Sequence, residues 1–517
     1  MSDFSNLKYY YKQEKKADPL HVKADLCIYG GTSAGVVAAV QAVKMGLKPV
    51  IVEFGRKLGG VGASGLSRTD FGNKAAIGGI SREFYREMGR FYESKEEDGS
   101  VWYFEPSRAE QIYNEWVERY EIEVYFEHQL ESVEKSGNKI TKITMENGNS
   151  FSAPMFIDAT YEGDLMAKAG VSYTVGRESN SQYKETLNGI YFGSPHHNFR
   201  AWVDPYLVEG KPDSGLAPGV MDAEPGIQGQ GDKSVQAYNF RLCLTQDPKI
   251  RIPFPEPPNY DPDRFILLER YLRTGIFDAM NLHVHMQNGK TDLNNFGGFS
   301  TDHIGANHEW PDADYETRER IFQDHFEYTL GMLYFLANDE RVPARVREEV
   351  SSWGLPADEF VETGNWPHQL YIREARRMVS DVVMTEQHCR HLKWEEDPVG
   401  LASYQIDSHN CRRLAIDGRA VNEGDCQIPA AGPYPISYRA IVPKADECAN
   451  LLVPVCLSAS HIAYGSIRME PVFMVLGQSA ATAAALALQT SKSVQEVDYA
   501  QLKQRLLDDG QILEFKK

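Results

Sequence analysis

An α/β architecture organised round a parallel sheet is predicted by three features of this 517-residue sequence. From Asp25 to Glu53 a short apolar run, a glycine turn, a helical stretch and a second apolar run follow one another. A strand-like meander later returns to an apolar run at "MFIDAT", and a second strand, loop and helix succession ends near residue 490. Strands separated by a helical crossover pair in parallel, so the first unit already fixes the sheet type.

Taken in order, residues 25–29 read as a strand, and Ala34 to Met45 ("AGVVAAVQAVKM") as a helix stopped by Gly46. "KPVIVE" is a second strand ending at Glu53, and a glycine-rich loop follows from Leu58 to Gly65. The stretch from "IEVYFE" through "KITKITMENGNSFSAPMFIDAT" reads as a meander with Asn147-Gly148 as its hairpin turn. From about Gln182 to Gly432 the character changes to proline clusters, many aromatics and histidines, and helices such as Glu316 to Ala337. We read this as an inserted α+β, substrate-facing domain. "NLLVPVCL" and the helix with Pro471 in its first turn bring the chain back. The expected division is a first domain in two parts, 24–180 and 433–490, an inserted domain over 181–432, and a C-terminal helical tail over 491–517.

Composition narrows the function. With 54 basic and 73 acidic residues the net charge is −19, which repels phosphate backbones and anionic membranes. No nucleic-acid or membrane partner is expected, only a small-molecule substrate; homo-oligomerisation is left open. The seven cysteines are scattered without a Cys-x-x-Cys pair, which fits reduced thiols in a cytoplasmic protein. The N-terminus lacks the apolar core of a secretory signal and reads as a leading arm. Pro471 to Leu488 nears membrane-spanning length, but its alanines and polar Gln478, Ser479 and Thr482 suit a buried helix better.

The turn "GGTSAG" enters a helix, whose first amides and dipole accommodate a diphosphate. Gly30 makes the turn and Gly35 permits close helix-to-strand packing. Thr32 occupies the usual middle glycine, restricting backbone approach while offering a hydroxyl donor. Glu53, 23 residues after Gly30, closes the second strand where an acid holds a ribose diol. A second cluster, "GIQGQG" (Gly226 to Gly231), has no strand before it and no helix after it, so it reads as a loop. No separate nicotinamide domain is implied.

With "GGTSAG", the blocks "EFGRKLGGVGASGL", "FIDATYEGDLMAKAGV", "QAYNFRLCLT", "LYIREARRMV" and "SHIAYGSIRMEPVFMVLGQSAATAA" make the chain resemble the FAD-dependent oxidoreductase family that spells its first turn GGTxAG. The resemblance spans roughly residues 24 to 490. It implies FAD and a Rossmann-like fold of glutathione-reductase type. It places Gly30, Gly31, Thr32, Ser33, Ala34, Gly35 and Glu53 on the adenosine diphosphate, and Gly59, Gly60, Ser64, Gly65 and Leu66 along the flavin and ribityl chain. Ala159, Thr160 and Asp164 fall near the pyrophosphate and ribitol, and Met469 at the helix start beside the flavin. Tyr161-Glu162 departs from the family's frequent glycine, which puts the local backbone contact in doubt.

By the same resemblance His461 and Arg468 lie beside the redox centre. His461 is the first candidate for general base; the alternative is a structural histidine bonded to backbone. Arg468 either holds a substrate carboxylate or neutralises Glu470. "GGFSTDHIGANHEWP" offers His303 and His308 with Asp302, and "YIREARR" sets Arg373, Arg376 and Arg377 on one predicted helix, as an anion site or as a solvated basic face. His409 and Glu423 are expected in the same cavity, with roles that sequence does not separate. His283 and His285 alternate as on a strand, but no spacing here matches a metal-ligand motif, and no metal is expected. The expected reaction is hydride transfer from a CH–OH carbon of a carbohydrate or hydroxy acid to the flavin, with His461, Arg468, His303 and Arg373 as catalytic candidates. The alternatives are reduction of an activated C=C bond and a flavin-binding protein without turnover.

Overall fold

The computed structural model describes residues 3–280, 282 and 286–515; the expectation for His283 and His285 lies outside the described residues. A five-stranded sheet runs in the order Glu123–Tyr125, Pro49–Val52, Leu26–Tyr29, Met155–Asp158, Leu451–Leu452, with every pair parallel. Four of its strands are apolar along most of their length and fully buried, as strands covered on both faces must be. Leu26 sits opposite Pro49 on one side and Met155 on the other, so the opening strand is central.

Helix Ser33–Lys44 follows the central strand and packs against helix Glu470–Thr490. Their backbones meet where Gly477 faces Ala34, with no room for a side chain. Glu470–Thr490 is the one described helix long and apolar enough to cross a membrane, and it is 89% buried inside the protein. The meander forms a second sheet of Leu130–Ser136, Lys139–Met145 and Ser150–Ser152, extended by His21–Lys23 in parallel. Gly148 takes φ +87° at its predicted turn.

Between residues 181 and 432 the strands pair mostly in twos, for instance Leu242–Thr245 with Lys290–Leu293. Helix Tyr315–Asn338 begins at Asp314, whose carboxylate accepts from Thr317 N at 2.7 Å. Helix Tyr499–Asp508 buries Leu502 and Leu506 at the C-terminal end.

"YIREARR" is not a helix. Residues 371–376 are irregular, Arg377–Met378 is a short strand, and all three arginines are buried. Arg373 pairs with Asp302 at 2.8 Å, Arg376 with Asp164 at 2.7 Å and Arg377 with Glu178 at 2.7 Å. The three carboxylates sit on different elements, and a buried cation must meet a partner. A helix would turn all three guanidinium groups the same way, so the extended backbone wins.

Candidate active site

Two cavities hold most of the candidate residues. The first, of about 310 Å³, is bounded by Gly30, Thr32, the run Glu53–Lys57 and the run Thr160–Glu162. Gly30 has φ +102°, and a Cβ there would stand 2.9 Å from the Ala159–Thr160 peptide. Gly35 touches the Gly30 carbonyl, so the helix starts directly against the strand end. Thr32 caps that helix. Its hydroxyl accepts weakly from Gly35 N at 3.4 Å and donates to Ala159 O at 2.7 Å, so its donor is spent on the neighbouring strand rather than offered to a ligand.

Glu53 lines this cavity, its Oε2 accepting from Gly31 N at 2.5 Å and its Oε1 from Gly55 N at 2.7 Å. Burial lifts its pKa above the ordinary 4.5 against the pull of those amides. Gly59 and Gly60 take positive φ. Gly59 lies against the Tyr113 ring and donates to Gly31 O at 2.8 Å, and Gly60 lies against the Tyr161 hydroxyl. Tyr161 therefore fills the family's glycine position without a clash. Its hydroxyl accepts from Val61 N at 3.1 Å and donates to Glu470 at 2.8 Å, and Glu470 also accepts from Ser33. Burial pushes both Glu470 and the cavity-lining Glu162 up to about 7.

The second cavity, of about 200 Å³, is strongly polar. One segment serves both, since Gln369 lines the first cavity and Tyr371 the second, and Gln369 N donates to Ser64 Oγ at 2.9 Å. Gly65 packs on the Arg241 carbonyl, and Ser67 and Arg68 donate backbone N–H groups to Asp292 in the cavity wall. Arg241 forms a two-pronged pair with Asp292 at 3.0 and 2.6 Å, while its Nη1 has no hydrogen-bond partner among the described residues. The guanidinium groups of Arg373, Arg468 and Arg241 stand 4.8, 5.8 and 5.9 Å from the Tyr371 ring centre.

His409 lines this cavity. Its Nδ1 is 2.7 Å from Asp302, and its Nε2, 3.6 Å from Asp407, makes no hydrogen bond among the described residues. Burial and Arg373 press its pKa down, Asp302 and Asp407 press it up, and the carboxylates prevail. His197, stacked near it at 6.4 Å, is pushed down to about 4, chiefly by burial.

The expected site residues divide accordingly. His461 is 1% exposed, lines neither cavity, and has both ring nitrogens engaged, by Glu374 at 2.7 Å and Ser408 at 3.0 Å. With both nitrogens held among the described residues, the geometry supports the structural alternative over the general base. His303 is paired with Asp324 at 2.8 Å and stacked on Tyr328, away from both cavities. His308 bonds the Cys411 carbonyl, and Glu423 is held by Arg177 and Arg412. Asp164 spends its carboxylate on Arg318 and Arg376, tying the sheet to helix Tyr315–Asn338 instead of facing the first cavity. Arg468 does not neutralise Glu470; it donates to Tyr371 OH at 2.9 Å and to the Asp407 carbonyl at 3.0 Å. Arg373 also reaches Asn239 and Asn294 behind the polar cavity. Met469 caps helix Glu470–Thr490, and Leu66 is buried. The carboxylates of Glu105, Asp358 and Glu359 converge, but on the ammonium of Lys290 at 2.6, 2.9 and 2.8 Å. Arg241, Tyr371 and Asp407 were not singled out by sequence. Asp407 and His409, two apart on an extended stretch, share a face, a signal that was present.

A family profile described as FAD dependent oxidoreductase matches residues 25–506. The chain belongs to the FAD-dependent oxidoreductase family. No curated protein matches it. Solved structures similar to parts of it include L-amino acid deaminase from Proteus vulgaris (14% identity over 32% of this chain and 54% of that one, TM-score 0.25). Others are the anhydrotetracycline hydroxylase OxyS from Streptomyces rimosus (13%, 31% and 36%, 0.23) and a flavin-containing monooxygenase from Stenotrophomonas maltophilia (15%, 31% and 43%, 0.21). Each match spans less than two thirds of the other chain.

The residues present in this FAD-dependent oxidoreductase fit the cofactor. The Gly30 turn, the Thr32 cap that opens helix Ser33–Lys44 and the Glu53 carboxylate line one cavity, in the arrangement an adenosine diphosphate needs. Glu162, neutral below about pH 7, adds little opposing charge there. Glu53→Ala removes the acceptor for the ribose hydroxyls. Charge-assisted hydrogen bonds contribute about 1.5–3 kcal/mol each, so FAD affinity is expected to fall about tenfold or more. Equilibrium dialysis against FAD checks this, and unchanged occupancy refutes the ribose assignment.

Proposed function

We propose that this oxidoreductase oxidises a CH–OH carbon in a small hydroxy acid or acidic carbohydrate, within the cavity lined by His409, Arg241 and Tyr371. The observation that carries the reading is His409, whose Nδ1 is fixed by Asp302 while Nε2, 3.6 Å from Asp407, makes no hydrogen bond among the described residues and lies at the cavity. The bound flavin supplies the hydride acceptor. The Asp302 carboxylate keeps the proton on Nδ1, so Nε2 presents a lone pair that takes the substrate hydroxyl proton as the carbonyl forms. Arg241 lines the cavity, and its Nη1, without a hydrogen-bond partner among the described residues, is the donor for a substrate carboxylate. Arg468 and Arg373 position Tyr371 and Asp302 respectively. The domain division proposed is 24–180 with 433–490, carrying 181–432, in the glutathione-reductase-type arrangement. It is supported by Leu451–Leu452 joining the sheet of Leu26–Tyr29.

A second reading, reduction of an activated C=C bond, draws on the arginines gathered round Tyr371, with Arg241 lining the cavity and Arg373 and Arg468 beside the ring, as clamps for a substrate carboxylate. The experiment that separates them is the anaerobic visible spectrum of the FAD-loaded protein while hydroxy acids, sugars and sugar acids are added. Bleaching by a hydroxy compound supports oxidation. No bleaching, together with reoxidation of prereduced flavin by unsaturated acids, replaces it with the reductase reading.

A further inference from the structure

The first cavity has a wall that does not belong to the nucleotide-binding unit. Asn6, Lys8, Tyr9 and Tyr11 of the N-terminal arm line it, opposite Gly30, Thr32 and Glu53. Among its described residues the arm has no helix or strand before His21, yet it is firmly seated. Tyr9 N and Tyr10 N both donate to Glu319 at 2.8 Å, and Gln323 donates to the Leu7 carbonyl at 2.7 Å. These two acceptor and donor side chains lie on helix Tyr315–Asn338, so the arm hangs from the segment between the two halves of the sheet domain.

On the sheet side, the Tyr9 ring stacks on Phe54 at 4.6 Å, and its hydroxyl donates to Glu162 at 3.2 Å. The Arg56 guanidinium lies over the Tyr11 ring at 3.6 Å. Phe54 and Arg56 follow Glu53 directly, at the end of the cavity that Glu53 assigns to the adenosine. Lys8, exposed, lines the same cavity as Arg56 and Lys57, which are paired with Glu127 and with Glu110 and Glu362 respectively.

We propose that the N-terminal strap Asn6–Tyr11 is a retaining wall for the AMP half of FAD, closing the adenosine end so that the cofactor leaves only when the strap lifts. Lys8 contributes positive charge beside the diphosphate, and Tyr11 with Arg56 forms a flat lid at the adenosine end. The inference rests on the family's cofactor and on the Glu53 assignment, and is independent of the substrate reading.

The test uses FMN, which shares the flavin and ribityl phosphate with FAD and lacks the AMP half. The full-length double variant Lys8→Ala, Tyr11→Ala removes side chains facing the cavity and leaves the buried Leu7, Tyr9 and Tyr10 in place. Its FAD release, followed by the rise of free-flavin fluorescence on dilution, is expected to quicken about tenfold or more, because lost contacts appear mainly in dissociation. FMN affinity is expected to be unchanged. Equal FAD release from variant and native protein overturns the proposal, and so does an equal loss of FAD and FMN.

A second measurement needs no variant. Lys12 and Lys15, just beyond the strap, expose 74% and 69% of their side chains, so trypsin cleaves there and at Lys8 when the arm lifts. FAD is expected to slow cleavage at Lys8, Lys12 and Lys15, and FMN is not. Cleavage indifferent to FAD overturns the proposal.

Discussion

Gly35→Val is expected to yield a protein that no longer retains FAD and melts earlier. Gly35 is the third residue of helix Ser33–Lys44, and any Cβ there would overlap the Gly30 carbonyl oxygen while standing 3.4 Å from Ala159 Cβ. The helix has nowhere to retreat. On its other side Ala34 meets Gly477 of helix Glu470–Thr490, backbone to backbone, and Thr32 is tied to Ala159 at 2.7 Å. Overpacking of this kind costs about 1–3 kcal/mol, and valine's branch at Cβ adds a helix penalty. The larger effect falls on the cofactor. Moving the first turn by even a fraction of an ångström re-aims the amides that would receive the diphosphate, so a fall of at least about 100-fold in FAD affinity is expected. Flavin absorbance per protein after gel filtration measures it. Gly46→Ala, where an added Cβ meets nothing within 4 Å, is the control and should retain FAD despite its φ of +82°. Stoichiometric flavin in Gly35→Val would show that the turn does not hold the cofactor.

What could be read from sequence follows the range of the forces involved. The unit from Leu26 to Val52 is specified by residues within a few positions of one another: an apolar run, Gly30 and Gly35, and a helix with mostly small apolar residues. Helix Tyr315–Asn338 and the turn at Gly148 are local in the same sense. Arg373, Arg376 and Arg377 are the opposite case. Their spacing suits a helix face, but their partners Asp302, Asp164 and Glu178 lie far away in sequence, and ion pairing overrode the local pattern. Long separations likewise divide His461 from the Glu374 that occupies it, 87 positions earlier, and His409 from the Asp302 that orients it, 107 positions earlier. Sequence supplied the imidazoles; which one keeps a free nitrogen is decided by tertiary partners. Arg241 sits inside a block that resembles the family, yet its role depends on Asp292 taking two of its donors and leaving Nη1 bare.

His409→Asn should keep FAD bound and slow anaerobic flavin reduction by about 10²–10⁴-fold, the range of a positioned general base. The variant preserves the bond to Asp302, because an asparagine amide donates where Nδ1–H does, and it removes the acceptor that Nε2 offers. His461→Asn serves as the contrast. Its side chain is buried between Glu374 and Ser408, so the change should lower stability with a much smaller effect on the reduction rate of the folded protein. The pH profile gives a reading that a structural role would not move. A base works when unprotonated, and the carboxylates hold His409 above 6.5, so the native rate should rise with pH on a limb centred above that value. The limb should vanish in His409→Asn. In Asp302→Asn it should shift down, since removing a carboxylate lowers the imidazole pKa. That variant should also be slow, because an amide nitrogen facing Nδ1 places the ring proton on Nε2, where the lone pair is required. Combining the two substitutions should cost little more than the worse of them, as expected for residues acting as one unit. A native rate in His409→Asn would end the assignment, and a loss confined to His461→Asn would return the base to the position that sequence first favoured.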